Sequence, residues 1–339
     1  ALSVMCHTAI WPLFKISCRR NRGIVVISPK FIKKNQYMRI KRLAHFTGHK
    51  DCIYALAPAL KPDCFYTGAA EGYIVEWNYE KKGDGELLAQ VPAPVYSLAA
   101  YAQQLWLLAG TARGNLHVID ITTKKELRNI EAHTQGLYHI HILQKHPWII
   151  TAGGDGVVRI WERYTLELLH TLHLSDKSAR VIAVSPDESS FAVGYSDCHI
   201  RQWNLPDWQL MADWEAHENS VFSLTYTPDG KKIISGGRDV RLKEWVLAPK
   251  PEQLNVINAH NLHINYLQYN PSGNLLASVS MDKTIKIWDG ESLQLLKVID
   301  KDRHQGHVSS VNKVFWIDNN RLVTCSDDRT AMVWEIETE

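Results

Sequence analysis

A tryptophan, or an aliphatic residue in its place, recurs at a nearly constant interval along this chain of 339 residues. Successive positions are 42, 42, 42, 42, 43 and 46 residues apart: Trp77, Ile119, Trp161, Trp203, Trp245, Trp288 and Trp334. A period of about 40 to 45 residues is typical of an array of four-stranded units, each of which buries its apolar faces only against its neighbours. The interval therefore predicts one all-β domain of seven repeats.

The residues before the recurring position also repeat. Three of the segments read Gly-Gly-Asp-Gly-Val-Val-Arg-Ile-Trp, Ser-Met-Asp-Lys-Thr-Ile-Lys-Ile-Trp and Ser-Asp-Asp-Arg-Thr-Ala-Met-Val-Trp. An acidic residue lies six positions before the recurring position in every repeat except the second: Glu71, Asp155, Asp197, Asp239, Asp282 and Asp328. These motifs closely resemble the WD40 (WD-repeat) family. The resemblance implies a seven-bladed β-propeller with four antiparallel strands in each blade.

Five repeats carry two further polar side chains at fixed offsets. A histidine precedes the tryptophan by 27 or 28 positions: His49, His133, His217, His260 and His307. A hydroxyl residue precedes it by ten: Thr67, Thr151, Ser235, Ser278 and Thr324. The resemblance implies that indole, hydroxyl, imidazole and carboxylate form one buried hydrogen-bonded network, in which the hydroxyl links two groups that both need partners. Blade two keeps no member and blade four keeps only Asp197 and Trp203, so we expect these blades to be more weakly tied.

The same residue types could instead form a catalytic Ser-His-Asp triad. A triad needs one exposed nucleophile beside oxyanion donors, whereas this set occurs five times, once in each of five repeats. Histidines that recur blade by blade also do not converge on a metal. His139 and His141 alternate along one predicted strand without a third ligand nearby, and the turn Gly153 to Gly156 lacks the Lys-Ser/Thr of a phosphate-binding loop. We therefore expect no catalytic residue, no metal and no cofactor.

The ends of the chain predict how the ring closes. The last repeat stops after its third strand, and the apolar residues of Arg39 to Phe46 fit a lone outer strand that would complete it. This assigns 38–339 to the propeller and 1–37 to a basic appendage, disordered or not native. We favour Met38 as the natural start, with an organellar transit peptide or a basic arm as the alternatives.

Charge and cysteine usage narrow the class of protein. Residues 1 to 50 contain eleven Lys or Arg and no Asp or Glu, whereas the remainder has 27 basic and 36 acidic residues. An acidic propeller argues against broad nucleic-acid binding, which depends on Lys and Arg. The six cysteines show no Cys-x-x-Cys spacing, and no apolar run approaches the length of a membrane span. We expect a cytoplasmic protein that does not bind membranes.

The resemblance implies that partners bind on the rim of the central channel. One set of implied rim positions lies five residues after the histidine offset: Tyr54, Tyr96, Tyr138, Arg180, Phe222, Asn265 and Asn312. A second set precedes the acidic position and includes Arg238, Met281 and Asp327. Aromatic and arginine side chains dominate binding hot spots, although the aromatics could instead plug the channel.

We therefore predict a non-enzymatic scaffold that binds protein or peptide segments on the rim. The arginines favour an acidic or phosphorylated segment, whereas the three tyrosines could enclose a methylated ammonium group. One alternative is a structural subunit that assembles through blade edges. Another is a hydrolase or lyase with carboxylates and a metal inside the channel, although the predicted rim offers Asp327 as its sole carboxylate.

Overall fold

Short strands rich in β-branched and aromatic residues follow one another through residues 38–81 and 83–338, which are the residues that this computed structural model describes. Within them the chain forms 28 strands and one helix of four residues. The inner strands alternate between buried and partly exposed side chains, as in β2 with the sequence IYALAP. This period of two is the pattern of a strand that packs on one face.

Each blade is an antiparallel sheet of four strands. Blades one and two contain β2 (Ile53–Pro58), β3 (Cys64–Ala69), β4 (Tyr73–Asn78), β5 (Glu86–Gln90), β6 (Val95–Tyr101), β7 (Trp106–Thr111), β8 (Asn115–Asp120) and β9 (Lys125–Glu131). Blades three and four contain β10 (Leu137–Ile142), β11 (Trp148–Gly153), β12 (Val157–Glu162), β13 (Leu168–His173), β14 (Ala179–Val184), β15 (Ser190–Tyr195), β16 (His199–Asn204) and β17 (Leu210–Glu215). Within each blade consecutive strands are hydrogen-bonded neighbours.

The remaining strands form blades five to seven. Blades five and six contain β18 (Val221–Tyr226), β19 (Lys232–Gly237), β20 (Arg241–Val246), β21 (Glu252–Asn258), β22 (Ile264–Tyr269), β23 (Leu275–Ser280), β24 (Ile285–Asp289) and β25 (Leu295–Ile299). Helix α1 (Lys301–His304) precedes blade seven, whose strands are β26 (Val311–Trp316), β27 (Arg321–Ser326), β28 (Ala331–Thr338) and β1 (Met38–Phe46). The predicted seven-bladed propeller is confirmed.

The first strand closes the ring. β1 pairs antiparallel with β28, from Met38 opposite Thr338 to Phe46 opposite Ala331. The pairing completes a fourth strand for blade seven and covers the open edge of β28, which would otherwise expose unpaired backbone groups. The predicted closure is therefore confirmed, whereas the proposed appendage 1–37 lies outside the described residues.

The core is divided among the spaces between blades. Seven apolar clusters each join two successive blades around the ring. The cluster between blades seven and one contains Val323 and Val333 from one side and Ile53, Phe65 and Trp77 from the other. No blade buries these faces alone, so the ring is stable only when all its neighbours are in place.

We expect truncation at the closing strand to destabilise the whole ring. A chain that begins at residue 47 loses the buried side chains of Met38, Ala44 and Phe46 and exposes the edge of β28. At about 25 cal/mol per Å² of apolar surface, this costs about 4 kcal/mol or more. Scanning calorimetry with light scattering should show a lower melting temperature and aggregation. A chain that begins at residue 38 is the control; equal melting of the two chains would contradict the closure argument.

Candidate binding site on the channel rim

Each inner strand contains a β-bulge near its start. In β2, Ile53 lies opposite Ala69 and Ala55 lies opposite Gly68, so that Tyr54 has no partner of its own in the ladder. The same register shift occurs in all seven inner strands. The seven bulged residues are Tyr54, Tyr96, Tyr138, Arg180, Phe222, Asn265 and Asn312. A bulge redirects a side chain away from the regular alternation, so one backbone irregularity places all seven predicted fifth-position residues.

Three tyrosines from consecutive blades contact one another along the rim. The Tyr54 and Tyr96 ring centroids are 5.5 Å apart at an interplanar angle of 71°, and those of Tyr96 and Tyr138 are 5.6 Å apart at 13°. Edge-to-face and offset-stacked rings at these separations attract each other. All three side chains remain partly exposed. They therefore form a continuous aromatic surface that solvent still reaches.

Arg180 extends this surface to the next blades. Its guanidinium carbon lies 4.4 Å from the Tyr138 ring centroid and 5.5 Å from that of Phe222. Its Nε donates a hydrogen bond of 2.8 Å to Ser196 Oγ. Among the described residues, its two terminal nitrogens form no hydrogen bond or ion pair. The aromatic neighbours thus orient the guanidinium and leave its outer donors available for an anion.

The rim continues past Phe222 through a histidine that the sequence analysis did not select. The His263 ring stacks on Phe222 with centroids 5.9 Å apart and an interplanar angle of 20°. Burial, and to a lesser degree the charge of Arg238, lower the pKa of His263. Arg238 and Met281 are exposed. These two side chains add one charged and one apolar group at the turns above the rim.

The remaining rim residues connect blades to one another. Asn265 Nδ2 donates to Ser310 Oγ and to the Val311 carbonyl oxygen, both at 2.9 Å. Asn312 Nδ2 donates to the Ile53 carbonyl oxygen at 2.9 Å and to Asp327 Oδ1 at 2.7 Å. These amides and Asp327 are therefore used in hydrogen bonds within the ring. The aromatic residues and Arg180, which lie in blades one to five, form the more accessible part of the rim.

Behind the rim, five blades contain the same hydrogen-bonded network. The tryptophan Nε1 donates to the hydroxyl oxygen over 2.7 to 3.0 Å in all five blades. The hydroxyl lies 2.7 to 2.9 Å from the histidine Nε2. The histidine Nδ1 lies 2.6 to 2.9 Å from the carboxylate. A carboxylate only accepts, so Nδ1 carries the proton and Nε2 accepts from the hydroxyl.

The network also anchors the turn that bears the second set of rim residues. Asp155 accepts hydrogen bonds from His133 at 2.9 Å and from the Thr134 N–H at 3.1 Å. Burial alone would raise the pKa of Asp155, but the His133, Thr134 and Arg159 hydrogen bonds outweigh it and hold the pKa well below its usual value. Burial lowers the pKa of His133 despite the opposing effect of Asp155. The pair is therefore a neutral imidazole beside a carboxylate.

Blades two and four use other contacts at these positions. In blade two, Val91, Ala109 and Ile119 occupy three of the four offsets and pack in one apolar cluster. In blade four, Asp197 pairs with Arg201 at 2.8 Å, while Trp203 stacks on Phe191 with centroids 5.2 Å apart. Apolar packing and an ion pair thus replace the network.

A cavity of about 300 Å³ lies within the channel and is lined by blades one, two, three, six and seven. Its polar lining includes His139, His141, Tyr266, Gln268 and Lys313, and no described Asp or Glu lines it. His139 Nδ1 accepts a hydrogen bond from the Ile182 N–H at 2.7 Å. Burial lowers the pKa of His141 to about 4. Among the described residues, no group of three His, Cys, Asp or Glu could hold a metal.

The sequence analysis missed Tyr266, Gln268 and Lys313. Tyr266 and Lys313, like His139, directly follow a bulged residue. An offset of six residues after the histidine position, in place of five, would therefore have selected Tyr266 and Lys313. Their convergence depends on closure of the ring, which brings blade three opposite blades six and seven.

Comparison with known proteins agrees with this architecture. The family model described as WD domain, G-beta repeat matches residues 124–162, 166–204, 208–244, 251–289 and 297–335, more than half of the chain. The chain belongs to the WD-repeat family. Members of this family generally act as non-enzymatic scaffolds that bind other proteins.

Three relatives of this WD-repeat chain are proteins with different names and organisms. It is 27% identical over 169 residues to WD repeat-containing protein 90 of Xenopus tropicalis, covering 50% of this chain and 9% of that protein. It is 32% identical over 146 residues to Protein HIRA of Dictyostelium discoideum, covering 37% and 13%. It is 28% identical over 178 residues to Nuclear distribution protein PAC1 of Arthroderma benhamiae, covering 49% and 38%. The matches span well under half of these relatives' lengths.

Within the described residues, the propeller contains no helix with the length and hydropathy of a membrane span.

We expect Thr151→Val to destabilise the propeller without altering its outer surface. Valine has a similar shape but leaves the Trp161 indole donor and the His133 acceptor without their shared partner. Two unsatisfied buried groups should lower the free energy of unfolding by about 2 to 4 kcal/mol. Urea denaturation measures this. Thr171→Val on the exposed strand β13 is the matched control, and equal effects of the two substitutions would refute a structural role for the network.

Acidification should also destabilise the protein through His141. Its folded pKa of about 4 lies below the usual histidine pKa of 6.5, so the unfolded chain takes up a proton as the pH falls below 6.5 while the folded chain does not until near pH 4. At pH 5 this linkage is worth up to about 2 kcal/mol. His141→Asn should therefore reduce the difference in unfolding free energy between pH 7 and pH 5. His170→Asn, at an exposed position, is the matched control.

Proposed function

We propose that this chain is a non-enzymatic scaffold that binds an acidic or phosphorylated segment of a partner protein on the channel rim. The observation that carries the proposal is the position of Arg180 between Tyr138 and Phe222, at 4.4 and 5.5 Å from their ring centroids. Carboxylates and phosphates accept two parallel hydrogen bonds from a guanidinium, and Arg180 has two terminal nitrogens with no partner among the described residues. The flanking rings reduce the entropy lost when this group binds.

The contacts among the tyrosines argue against a methylated ammonium ligand. An ammonium cage needs ring faces that are separated by the cation, but Tyr96 and Tyr138 stack on each other with centroids 5.6 Å apart. Arg180 already lies near the Tyr138 ring. A second cation would have to displace a favourable cation–π contact and approach a like charge.

Partial exposure supports binding over plugging of the channel. Tyr54, Tyr96, Tyr138, Arg180 and Phe222 each keep part of their surface in solvent. Large aromatic side chains with accessible surface and an oriented arginine are the usual composition of a binding hot spot. A peptide lying across these five residues would cover apolar area and meet the arginine donors in the same step.

Assembly through blade edges is a second candidate, supported by the outer strand of blade three. β13 has the sequence LLHTLH, and Leu168 and Leu169 are 48% and 41% exposed. Outer strands usually carry charges that discourage pairing with another chain, as β9 does with the sequence KELRNIE. An uncharged edge of this kind could pair with a strand of another subunit.

We place the scaffold in the cytoplasm. The cysteines of the described residues, Cys52, Cys64, Cys198 and Cys325, are all free thiols. Free thiols are typical of a reducing compartment.

Selection from a displayed library of random peptides tests the rim proposal. The full chain should enrich peptides rich in Asp and Glu, and Arg180→Met should bind the selected peptides about tenfold or more weakly, as expected for loss of a charge-assisted hydrogen bond. Arg128→Met, on the outer strand β9, is the matched control and should bind as the wild type does. Undiminished binding by Arg180→Met, combined with loss in Leu169→Arg, would reject the rim and favour the blade edge.

A further inference from the structure

The channel cavity contains a cation, Lys313, whose charge no described side chain balances. Lys313 Nζ lies 4.0 Å from the centroid of the Tyr266 ring. Among the described residues it has no hydrogen-bond acceptor and no carboxylate partner. A cation–π contact is worth about 0.5 to 2 kcal/mol, which replaces only part of the hydration that an ammonium group loses inside a protein. Lys313 therefore carries an incompletely solvated positive charge.

The other polar side chains of the lining are uncharged at neutral pH. Burial lowers the pKa of His139 well below its usual value and that of His141 to about 4, so both imidazoles are neutral. Since His139 Nδ1 accepts from the Ile182 N–H, its proton is on Nε2, which leaves a donor on the other side of the ring. The His139 ring meets the Tyr266 ring edge to face, with centroids 6.5 Å apart. Lys313 and His139 therefore lie against the same tyrosine ring.

One polar atom of the lining also lacks a partner. Gln268 Oε1 is buried and forms no hydrogen bond with the described residues. A buried amide oxygen without a partner costs about 1 to 3 kcal/mol, so the arrangement favours a ligand or a water that can reach it. The amide can present either its oxygen or its nitrogen by rotating, which suits a ligand with mixed donors and acceptors.

We propose that the channel cavity is a binding site for a small oxyanion, a phosphate or carboxylate group, paired with Lys313. The cavity volume of about 300 Å³ accommodates such a group with water, and its polar side chains keep part of their surface exposed, so solutes can enter. A cation would meet a like charge and no carboxylate, and an apolar ligand would leave the ammonium group unpaired. The lining residues His139, Tyr266 and Lys313 each follow a bulged rim residue in the sequence, and the site does not depend on peptide binding at the rim.

Calorimetric titration of the full chain with inorganic phosphate and with malonate tests this site. Lys313→Met keeps the length and apolar body of the side chain but removes its charge, and should weaken binding about 10- to 100-fold, as expected for a charge-assisted hydrogen bond. Lys313→Arg should retain binding, and Lys250→Met, at an exposed position, should bind as the wild type does. Thermal unfolding verifies that each variant is folded. Failure of both anions to bind the wild type, or equal binding by folded Lys313→Met, would overturn the proposal.

A second pair of titrations separates a free anion from an anionic side chain of a partner. The probes are acetylated and amidated tripeptides, Gly-phosphoserine-Gly and Gly-Glu-Gly. If a tripeptide binds more tightly than phosphate or malonate, and its binding depends on Lys313, the site is assigned to a side chain of a partner. Tighter Lys313-dependent binding of the simple anions assigns it to a free solute. Tripeptide binding that depends on Arg180 but not on Lys313 would support the rim alone and count against the channel site.

Discussion

The hydrogen bond from a buried tryptophan indole governs much of this structure. The indole fills the space between blades, and its N–H must find an acceptor there because no water is available. The acceptor is a strand hydroxyl, which in turn requires the histidine, and the histidine requires the carboxylate. The carboxylate, which is the last member of this hydrogen-bonded series, lies in the turn next to the rim. Asp239 directly follows the rim residue Arg238, and Asp282 directly follows Met281. The interior of a blade thus determines where its surface residues stand.

The fold was largely predictable because it depends on local features that repeat. Each blade has an apolar anchor and a turn, and six of the seven also have the acidic residue, so the period survives where individual members change. The family model matches five segments, which correspond to blades three to seven, whereas the structure shows seven blades. Blade two keeps the strand pattern with Ile119 in place of tryptophan. Ring closure was predictable from the number of strands, because the last repeat supplies three strands and a complete blade has four.

The placement of the candidate rim residues in the fold was predictable, whereas their contacts were not. Offsets located Tyr138, Arg180 and Phe222, yet no pattern in the sequence states that the guanidinium lies between two rings. Asn265 and Asn312 have equivalent offsets but are engaged in hydrogen bonds to neighbouring blades. Lys313 was overlooked because its surroundings come from distant repeats, and only their arrangement around one channel shows that it lacks an anionic partner among the described residues. Interactions between blades are thus the part that periodicity alone does not contain.

The seven bulges set the rim side chains apart from the regular ladders of the sheets. A bulged residue contributes little to the regular ladder of its sheet, so its side chain can be exchanged at small cost to the strands that display it. Asn265 and Asn312 hydrogen-bond to neighbouring blades, but the five bulged positions of blades one to five give evolution, or a protein engineer, side chains that can be exchanged on an unchanged set of strands. A ring with the same blades could in this way acquire a new partner by a few substitutions, without first having to find a new way to fold.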